Sequence, residues 1–282
     1  MPIKIVTDST CDLPKEVIAD LDITVVPLYI NIGQESYLDE VDMSRQEFYE
    51  RLPHFAHHPQ TASPGPEMFR EMYERLAAAG ADAVLSIHIS ASLSGTLNTA
   101  QLGAEATETV PVTVFDSGQL SMGTGFLVEA AAKMAAAGHS LAEILQDLKE
   151  RGRRTHLFAG LDTLEFLQRS GRMNWAVSKI GNLLKIKPLL TMHDGEPDVH
   201  QVRTDRRAMQ RLLDMLGALA PLEELALVHT NAPEKLRELR ERARHLFPSG
   251  RDPVEVDVTP VIGTHIGPGA AGFACVSAGS LR

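Results

Sequence analysis

The chain has 282 residues and a mass of 30.7 kDa, more than a single hydrophobic core usually serves, so we expect two domains. Its formal charge of −10 and pI near 5.6 argue against broad binding to nucleic acid, which requires a basic face, and against an electrostatic membrane anchor. No apolar run reaches the length of a membrane span, so we expect no stable insertion into a bilayer, which leaves transient membrane contact open.

The two cysteines, Cys11 and Cys275, stand near opposite ends of the sequence and form no metal-binding or redox motif. This usage suits a reducing compartment. The first residues enter a strand pattern without the charged start and apolar segment of a signal peptide. We therefore expect a cytoplasmic protein.

The first half of the chain alternates apolar, β-branched runs with helical patterns. Strands are predicted at residues 3–7, 24–30, 83–89 and 112–115, and helices at 47–52, 67–79, 126–137 and 141–150. Residues 33–41 form an exposed connection or a short hairpin. Because strands alternate with helices and each strand ends in a polar loop, we expect a Rossmann-like parallel sheet with its loops at one edge.

The second half has more strands separated by short turns such as His193-Asp194-Gly195. Strands are predicted at residues 155–160, 189–192, 197–203, 224–230, 254–258 and 272–278, and helices at 205–219 and 233–246. This pattern favours an α+β domain with a mixed or antiparallel sheet. The basic segment at residues 151–154 is the predicted boundary, so the α/β chain divides into domains 1–152 and 153–282.

A hydroxyl-rich turn at residues 89–100 joins a predicted strand to a predicted helix. Ser94 or a neighbour should cap that helix. One side of the helix is apolar and should face the core; it consists of Leu97, Ala100, Leu102 and Ala104. Backbone N–H groups at the start of a helix and the positive end of its dipole favour an anion. Ser92, Ser94 and Gly95 therefore form a candidate site for a carboxylate or phosphate.

Two other segments carry candidate polar groups. Thr61 precedes a rigid loop, Ala62-Ser63-Pro64-Gly65-Pro66, and His265 precedes a Gly-Pro-Gly loop. Three further histidines lie close together in a loop, but no cysteine or well-placed carboxylate completes a tetrahedral zinc site, so no metal is expected: His54, His57 and His58. Apolar residues at helical spacing are assigned to the core rather than to a pocket: Phe126, Leu127 and Met134.

Together, Thr61, the Ser-Leu-Ser-Gly-Thr turn around Ser94, and His265 resemble the DegV family of fatty-acid-binding proteins. The resemblance extends over essentially the whole chain in the same order, through Thr7-Asp8-Ser9-Thr10, Thr163-Leu164-Glu165-Phe166-Leu167, Gly171-Arg172 and Lys187-Pro188. One departure is the loop after Thr61, which in the family usually reads Ser-x-Pro-Ser-Pro.

This resemblance implies a two-domain DegV-like fold that holds one long-chain fatty acid, such as palmitate, between the domains. It implies that Thr61, Ser94 and His265 bind the carboxylate and that Arg203 lies near the exposed head group. It further implies a non-catalytic lipid-binding carrier that presents the acid to a FakA-like fatty acid kinase subunit. That partner forms an acyl phosphate with ATP for phospholipid synthesis, and no cofactor is expected besides the bound fatty acid.

The physical chemistry of such a ligand agrees with these residues. Burying about fifteen carbons at about 0.8 kcal/mol each contributes on the order of 12 kcal/mol before ordering costs, so the tail supplies most of the affinity. A buried carboxylate needs hydrogen bonds and preferably a positive partner, so we expect His265 to be more protonated with ligand bound.

Two alternatives remain. In a serine hydrolase, Ser94 would be the nucleophile, His265 the base and Asp116 the orienting acid, although the Gly-x-Ser-x-Gly motif is missing. Alternatively, the same helix start would bind another anionic small molecule, such as a phosphorylated metabolite. The chain has no phosphate-binding loop of the Gly-x-x-x-x-Gly-Lys-Ser/Thr type, so it is not expected to be a kinase itself.

Overall fold

The computed structural model describes residues 2–173 and 186–279. Within them, strands β1 to β13 are Ile3–Asp8, Thr24–Val26, Tyr29–Ile32, Glu35–Leu38, Gln60–Ala62, Ala83–His88, Val112–Asp116, Thr155–Gly160, Lys187–His193, Glu196–Val202, Leu222–His229, Val254–Asp257 and Ala271–Ser277. Helices α1 to α10 are Lys15–Asp20, Arg45–Arg51, Pro66–Ala78, Thr96–Glu105, Met122–Ala136, Leu141–Gly152, Glu165–Arg169, Asp205–Leu219, Pro233–Ala243 and Pro260–Ile266. Among the described helices, none combines the length and apolarity needed to cross a bilayer.

The predicted parallel sheet is confirmed, with strand order β2-β1-β6-β7. Every residue of β6 is buried, which explains its nearly continuous apolar sequence. Phe69 and Tyr73 of α3 pack with Ala100 of α4 against one face of the sheet. Helix α5 covers the other face, so the carboxyl ends of the strands lead into loops at one edge.

The second sheet has six strands in the order β10-β9-β8-β13-β11-β12. It is mixed, as predicted, because β11 and β12 are parallel while the other neighbours are antiparallel. Helices α8 and α9 cover one face through Leu212 and Leu239. The other face packs against α5, whose Leu127 and Ala131 share a core with Ala274 of β13. Helix α5 therefore lies between the two sheets, which accounts for its apolar circumference.

The single strand predicted at residues 24–30 is two strands. Pro27 has no N–H to donate to a sheet ladder, and the chain changes sheet there. β2 stays in the parallel sheet, while β3 pairs with β4 as the predicted hairpin and with β5 on its other side. The sequence analysis missed β5, which carries Thr61.

Helix α4 begins where it was predicted, but one assignment to its buried side is wrong. Leu102 is 45% exposed, while Gly103 is buried against α3. A Cβ atom at position 103 would lie 2.7 Å from both Phe69 Cβ and the Pro66 carbonyl oxygen, so α4 approaches α3 through its glycine. This close approach rotates Leu102 to the surface.

The sequence analysis also missed α7 and α10. Helix α10 begins with Pro260 after Thr259, whose hydroxyl accepts the N–H of Val261, and it ends at Gly267, whose φ is +73°. The helix is only seven residues long, so periodicity was too short to show it. Its last turn carries His265.

A buried ionic cluster fixes the start of α10 to the parallel-sheet side of the molecule. Asp12 accepts a hydrogen bond from the Thr259 N–H at 2.9 Å and lies 3.1 Å from Arg45 Nη1. Asp39 accepts a hydrogen bond from the Thr259 hydroxyl. Burial raises the pKa of Asp12 to about 6 and that of Asp39 to about 7. Arg45 thus pairs directly with the buried Asp12 and with Glu40, whose Oε1 lies 3.4 Å from Arg45 Nε, and acts on Asp39 through its charge alone.

Replacing Arg45 with methionine should destabilise the protein by about 3 kcal/mol, because it leaves the buried carboxylate of Asp12 without its counterion. Urea unfolding at pH 7 measures this change. Arg237→Met is the matched control, since Arg237 forms an exposed ion pair with Glu234 and its loss should have a far smaller effect. Equal effects of the two substitutions would contradict the role assigned to the cluster.

The cluster should also give the stability a defined pH dependence. The native state keeps the Asp39 proton until about pH 7, whereas the unfolded chain releases it near pH 4. The native state therefore binds more protons in this window, and the contribution of Asp39 to stability falls as pH rises from about 4 to 7. Unfolding curves at several pH values should show wild type losing stability relative to Asp39→Asn over this window. A constant difference would refute the assignment.

Candidate functional site

A cavity of about 150 Å³ lies between the loops of the parallel sheet and the six-stranded sheet. Its wall is mostly aliphatic and comes from both halves of the chain: Leu28, Ala62, Ile89, Leu93, Leu120, Leu157, Ala159, Leu161, Leu167, Leu190, Met192, Pro197, Val261, Ile262 and Ile266. The polar side chains in the wall are few: Thr10, Thr61, Ser63, Ser94, Arg172, Thr191 and His265. Such a wall suits a largely apolar ligand with a polar end.

Thr61 and His265 meet in the cavity wall, although 204 positions separate them in the sequence. Thr61 Oγ1 lies 2.8 Å from His265 Nε2. β5 holds Thr61 by pairing with β3, and α10 holds His265. The sequence analysis selected both residues, and the structure brings them into direct contact.

The turn before α4 places a group of hydroxyls beside this pair. Gly95 is the N-cap residue, while the Ser94 hydroxyl accepts the N–H of Thr96 at 3.2 Å. Ser94 Oγ also lies 2.8 Å from Thr96 Oγ1. Ser94 and Gly95 both line the cavity, as does Ser63 from the loop after β5. The N-cap residue is thus Gly95, the neighbour of Ser94, and it makes no side-chain capping hydrogen bond; the Ser94 hydroxyl lies one residue before it and accepts the first N–H of the helix.

His265 is neutral at physiological pH. Burial, reinforced by the charge of Arg172 and by the interaction with His58, lowers the pKa of His265 to about 3. Its Nδ1 atom is buried without a hydrogen-bond partner among the described residues. The imidazole therefore acts as a neutral hydrogen-bonding group at the cavity wall.

Two of the predicted site residues lie elsewhere. Ser92 is exposed, its Oγ lies 2.9 Å from Ser90 Oγ, and it is outside the cavity wall. Arg203 is exposed in a separate surface pocket with Lys187. The arginine of the cavity wall is instead Arg172, which was noted only as part of a sequence motif. The sequence could not show which of the two arginines, Arg172 or Arg203, lines the cavity, because their contacts depend on how α7 and β10 pack.

The hydrolase alternative requires a relay that the described residues do not form. Ser94 is hydrogen-bonded within its own turn, and His265 Nε2 contacts Thr61. Asp116 is exposed and accepts the N–H groups of Ala91 and Gly118. Ser94, His265 and Asp116 thus make no hydrogen bonds to one another. A catalytic triad requires the nucleophile to be hydrogen-bonded to the base, and the base to the acid.

A serine–histidine–aspartate series does occur behind the cavity, but it is inaccessible. Ser86 Oγ lies 2.7 Å from His88 Nε2, and His88 Nδ1 lies 2.9 Å from Asp8 Oδ2. All three residues are fully buried, and Tyr73 donates its hydroxyl proton to Ser86. Burial opposes ionisation of Asp8, yet hydrogen bonds from His88 and Thr10 lower its pKa. The series therefore fixes the ends of β1 and β6.

The described residues contain no group of three or more histidine, cysteine, aspartate or glutamate side chains placed to hold a metal ion. His58, from the histidine-rich loop, instead packs its ring against Phe166 with 5.6 Å between centroids.

Residues 2–278 match the sequence profile of a family described as "Uncharacterised protein, DegV family". A DegV domain-containing protein of Listeria innocua is 35% identical over 278 residues, which cover 96% of this chain and 97% of the relative. The chain belongs to the DegV family. The resemblance noted in the sequence is thereby confirmed over almost its full length.

Solved structures of DegV proteins share the fold. One is described as showing fatty acid binding of a DegV family protein from Thermus thermophilus; it has 33% identity and a TM-score of 0.89, with coverage of 98% of this chain and 100% of that one. Another is DegV, a fatty acid binding protein from Bacillus subtilis, with 30% identity and a TM-score of 0.89 over 98% of this chain and 99% of that one. These likenesses agree with the observed parallel and mixed sheets.

Without ligand, the imidazole of His265 should not titrate between pH 5 and 8, because burial and the neighbouring charge of Arg172 keep it neutral there. Two-dimensional NMR of the histidine ring signals, assigned with a His265→Asn variant, measures this directly. A transition near pH 6.5 assigned to His265 would contradict the electrostatics described above.

Proposed function

We propose that this DegV protein is a non-catalytic carrier of a long-chain fatty acid. The acid lies between a domain of residues 1–152 and a domain of residues 153–282. Its tail occupies the aliphatic cavity, and its carboxylate lies at the polar group formed by Thr61, Ser94 and His265. The observation that carries this proposal is the cavity itself, whose wall is aliphatic except for a small set of hydroxyls, an arginine and a histidine.

The arrangement of hydrogen bonds supports the placement of the carboxylate. If His265 Nε2 donates its proton to Thr61, the Thr61 hydroxyl is free to donate to the ligand. Ser94 and the first N–H groups of α4 provide further donors, with Gly95 allowing close approach of the backbone. Hydrogen bonds to an ionised acceptor are roughly twice as strong as neutral ones. The fatty-acid-binding structures of related DegV proteins support the same ligand class.

This proposal includes a partner. Arg172 is exposed and lines the cavity beside His265, which suggests that the polar end opens towards the surface. A carboxylate held there is accessible to an ATP-dependent FakA-like kinase subunit, which would convert it to an acyl phosphate for phospholipid synthesis. This chain would supply the bound substrate and the partner would supply the chemistry.

Purified protein should carry close to one fatty acid per chain, detected by native mass spectrometry and by extraction after denaturation. Thr61→Val, Ser94→Ala and His265→Ala should each weaken palmitate binding by about tenfold or more, because each removes a polar contact to a charged group. Ser92→Ala is the matched control for Ser94→Ala, since Ser92 lies outside the cavity wall. An empty protein that does not bind added palmitate would refute the carrier proposal.

Bound palmitate should also change the protonation of His265. A carboxylate in contact with the Thr61–His265 pair stabilises the imidazolium, so the pKa of His265 should rise from its ligand-free value of about 3 when palmitate binds. The NMR titration of the histidine ring with and without palmitate measures this shift. An unchanged titration would argue against an ionic contact at this end of the cavity.

The kinase step has a separate test. Palmitate-loaded protein, ATP and the FakA-like subunit of the same organism should form acyl phosphate, trapped as a hydroxamate, whereas omission of either protein should stop the reaction. Acyl phosphate formed by the partner alone, at the same rate, would refute the presenting role but leave fatty-acid binding intact.

A further inference from the structure

Ser63 stands beside the proposed carboxylate site and was not selected from the sequence. Its Oγ lies 3.0 Å from Thr96 Oγ1 and 3.5 Å from Ser94 Oγ. Ser94 Oγ in turn lies 2.8 Å from Thr96 Oγ1. Ser63 and Ser94 line the cavity, while Thr96 is fully buried behind them. Three hydroxyls thus form a compact group, two of which face the ligand space.

The proton count of this group favours an anionic occupant. Each hydroxyl has one proton to donate and two lone pairs that accept. Thr96 donates to only one of its two neighbours, and its N–H already donates to Ser94. The second neighbour must then donate its own proton to Thr96, so one of the two serine hydroxyls, that of Ser63 or that of Ser94, keeps a proton that is free to turn into the cavity. An acceptor such as a carboxylate satisfies this donor.

The position of Ser63 relative to Thr61 supports the same conclusion. Thr61 lies in the extended strand β5 and Ser63 follows it by two residues. Side chains at this spacing point to the same side of an extended chain and lie about 6.6 Å apart. Two hydrogen bonds of about 2.7 Å, plus the width of a carboxylate, span such a gap. One anionic group can therefore accept from both residues.

We propose that Ser63 is a further ligand of the carboxylate, and that Thr96 is the positioning residue that orients Ser63 and Ser94. This inference rests on the proposed fatty-acid function and extends it to specificity. A head group at this site accepts hydrogen bonds from Thr61 and from whichever of Ser63 and Ser94 keeps its proton. An ionised carboxylate accepts such bonds with its charge, which roughly doubles their strength, whereas an alcohol of the same chain length is uncharged and brings a hydroxyl proton of its own. Ser63 thus favours the free acid over the alcohol.

The experiment compares palmitate with 1-hexadecanol, because both have the same tail length and differ in the head group. Displacement of a fluorescent fatty acid measures both affinities for wild type and variants. Ser63→Ala should weaken palmitate binding by about tenfold and change hexadecanol binding by less than about twofold. Ser63→Cys, a weak donor of similar size, should behave like Ser63→Ala. Ser63→Thr keeps the hydroxyl and should restore palmitate binding.

Each contrary outcome has a distinct meaning. Equal losses for the acid and the alcohol would show that Ser63 only shapes the loop, which would overturn the inference. Unchanged palmitate affinity in Ser63→Ala would overturn it as well, while leaving the carrier proposal in place. Failure of wild type to bind palmitate would overturn the carrier proposal and this inference together. Ser92→Ala, at an exposed serine outside the cavity wall, should leave both affinities unchanged.

Discussion

The buried ionic cluster that binds Thr259 is the interaction on which the site depends. Asp12 and Asp39 hold the backbone and hydroxyl of this residue, and Arg45 balances part of their charge. Because Thr259 is the N-cap residue of α10, the ionic cluster sets where the helix starts and hence where its last turn places His265. Tyr49 adds a hydrogen bond to the Val258 carbonyl at 2.9 Å. The contact between His265 and a strand 204 residues earlier in the chain follows from this anchoring.

The cavity separates two physical tasks between two kinds of wall. In the proposed complex, the aliphatic wall, shared by the loops of the parallel sheet and the six-stranded sheet, would provide the apolar surface for most of the binding free energy. The polar group provides orientation through hydrogen bonds rather than through net charge, since His265 is neutral without ligand. The positive charge near it belongs to Arg172, which is exposed and therefore screened by solvent. In such a site, the head group would be oriented by hydroxyl donors that already have the required positions before the ligand binds.

The regular elements were predictable where periodicity was long. The strand at 155–160 and the helix at 205–219 match their observed bounds, because the apolar pattern extends over the whole of each element. The elements that build the site were not predictable in this way, since β5 has three residues and α10 has seven. Their residues Thr61 and His265 were found through motif resemblance. For Ser63, the only sequence feature that indicated a place in the cavity wall was its two-residue spacing from Thr61. Leu102 was wrongly assigned to the buried side of α4, because a glycine, Gly103, and not a leucine fits against α3.

A crystal structure of the protein with palmitate tests the central claim most directly. The account predicts that the carboxylate lies within hydrogen-bond distance of Thr61 and Ser94, with the tail running along the aliphatic wall formed by β8, β9 and α10. Electron density for a carboxylate away from Thr61 and Ser94, with the tail methyl beside His265, would contradict it.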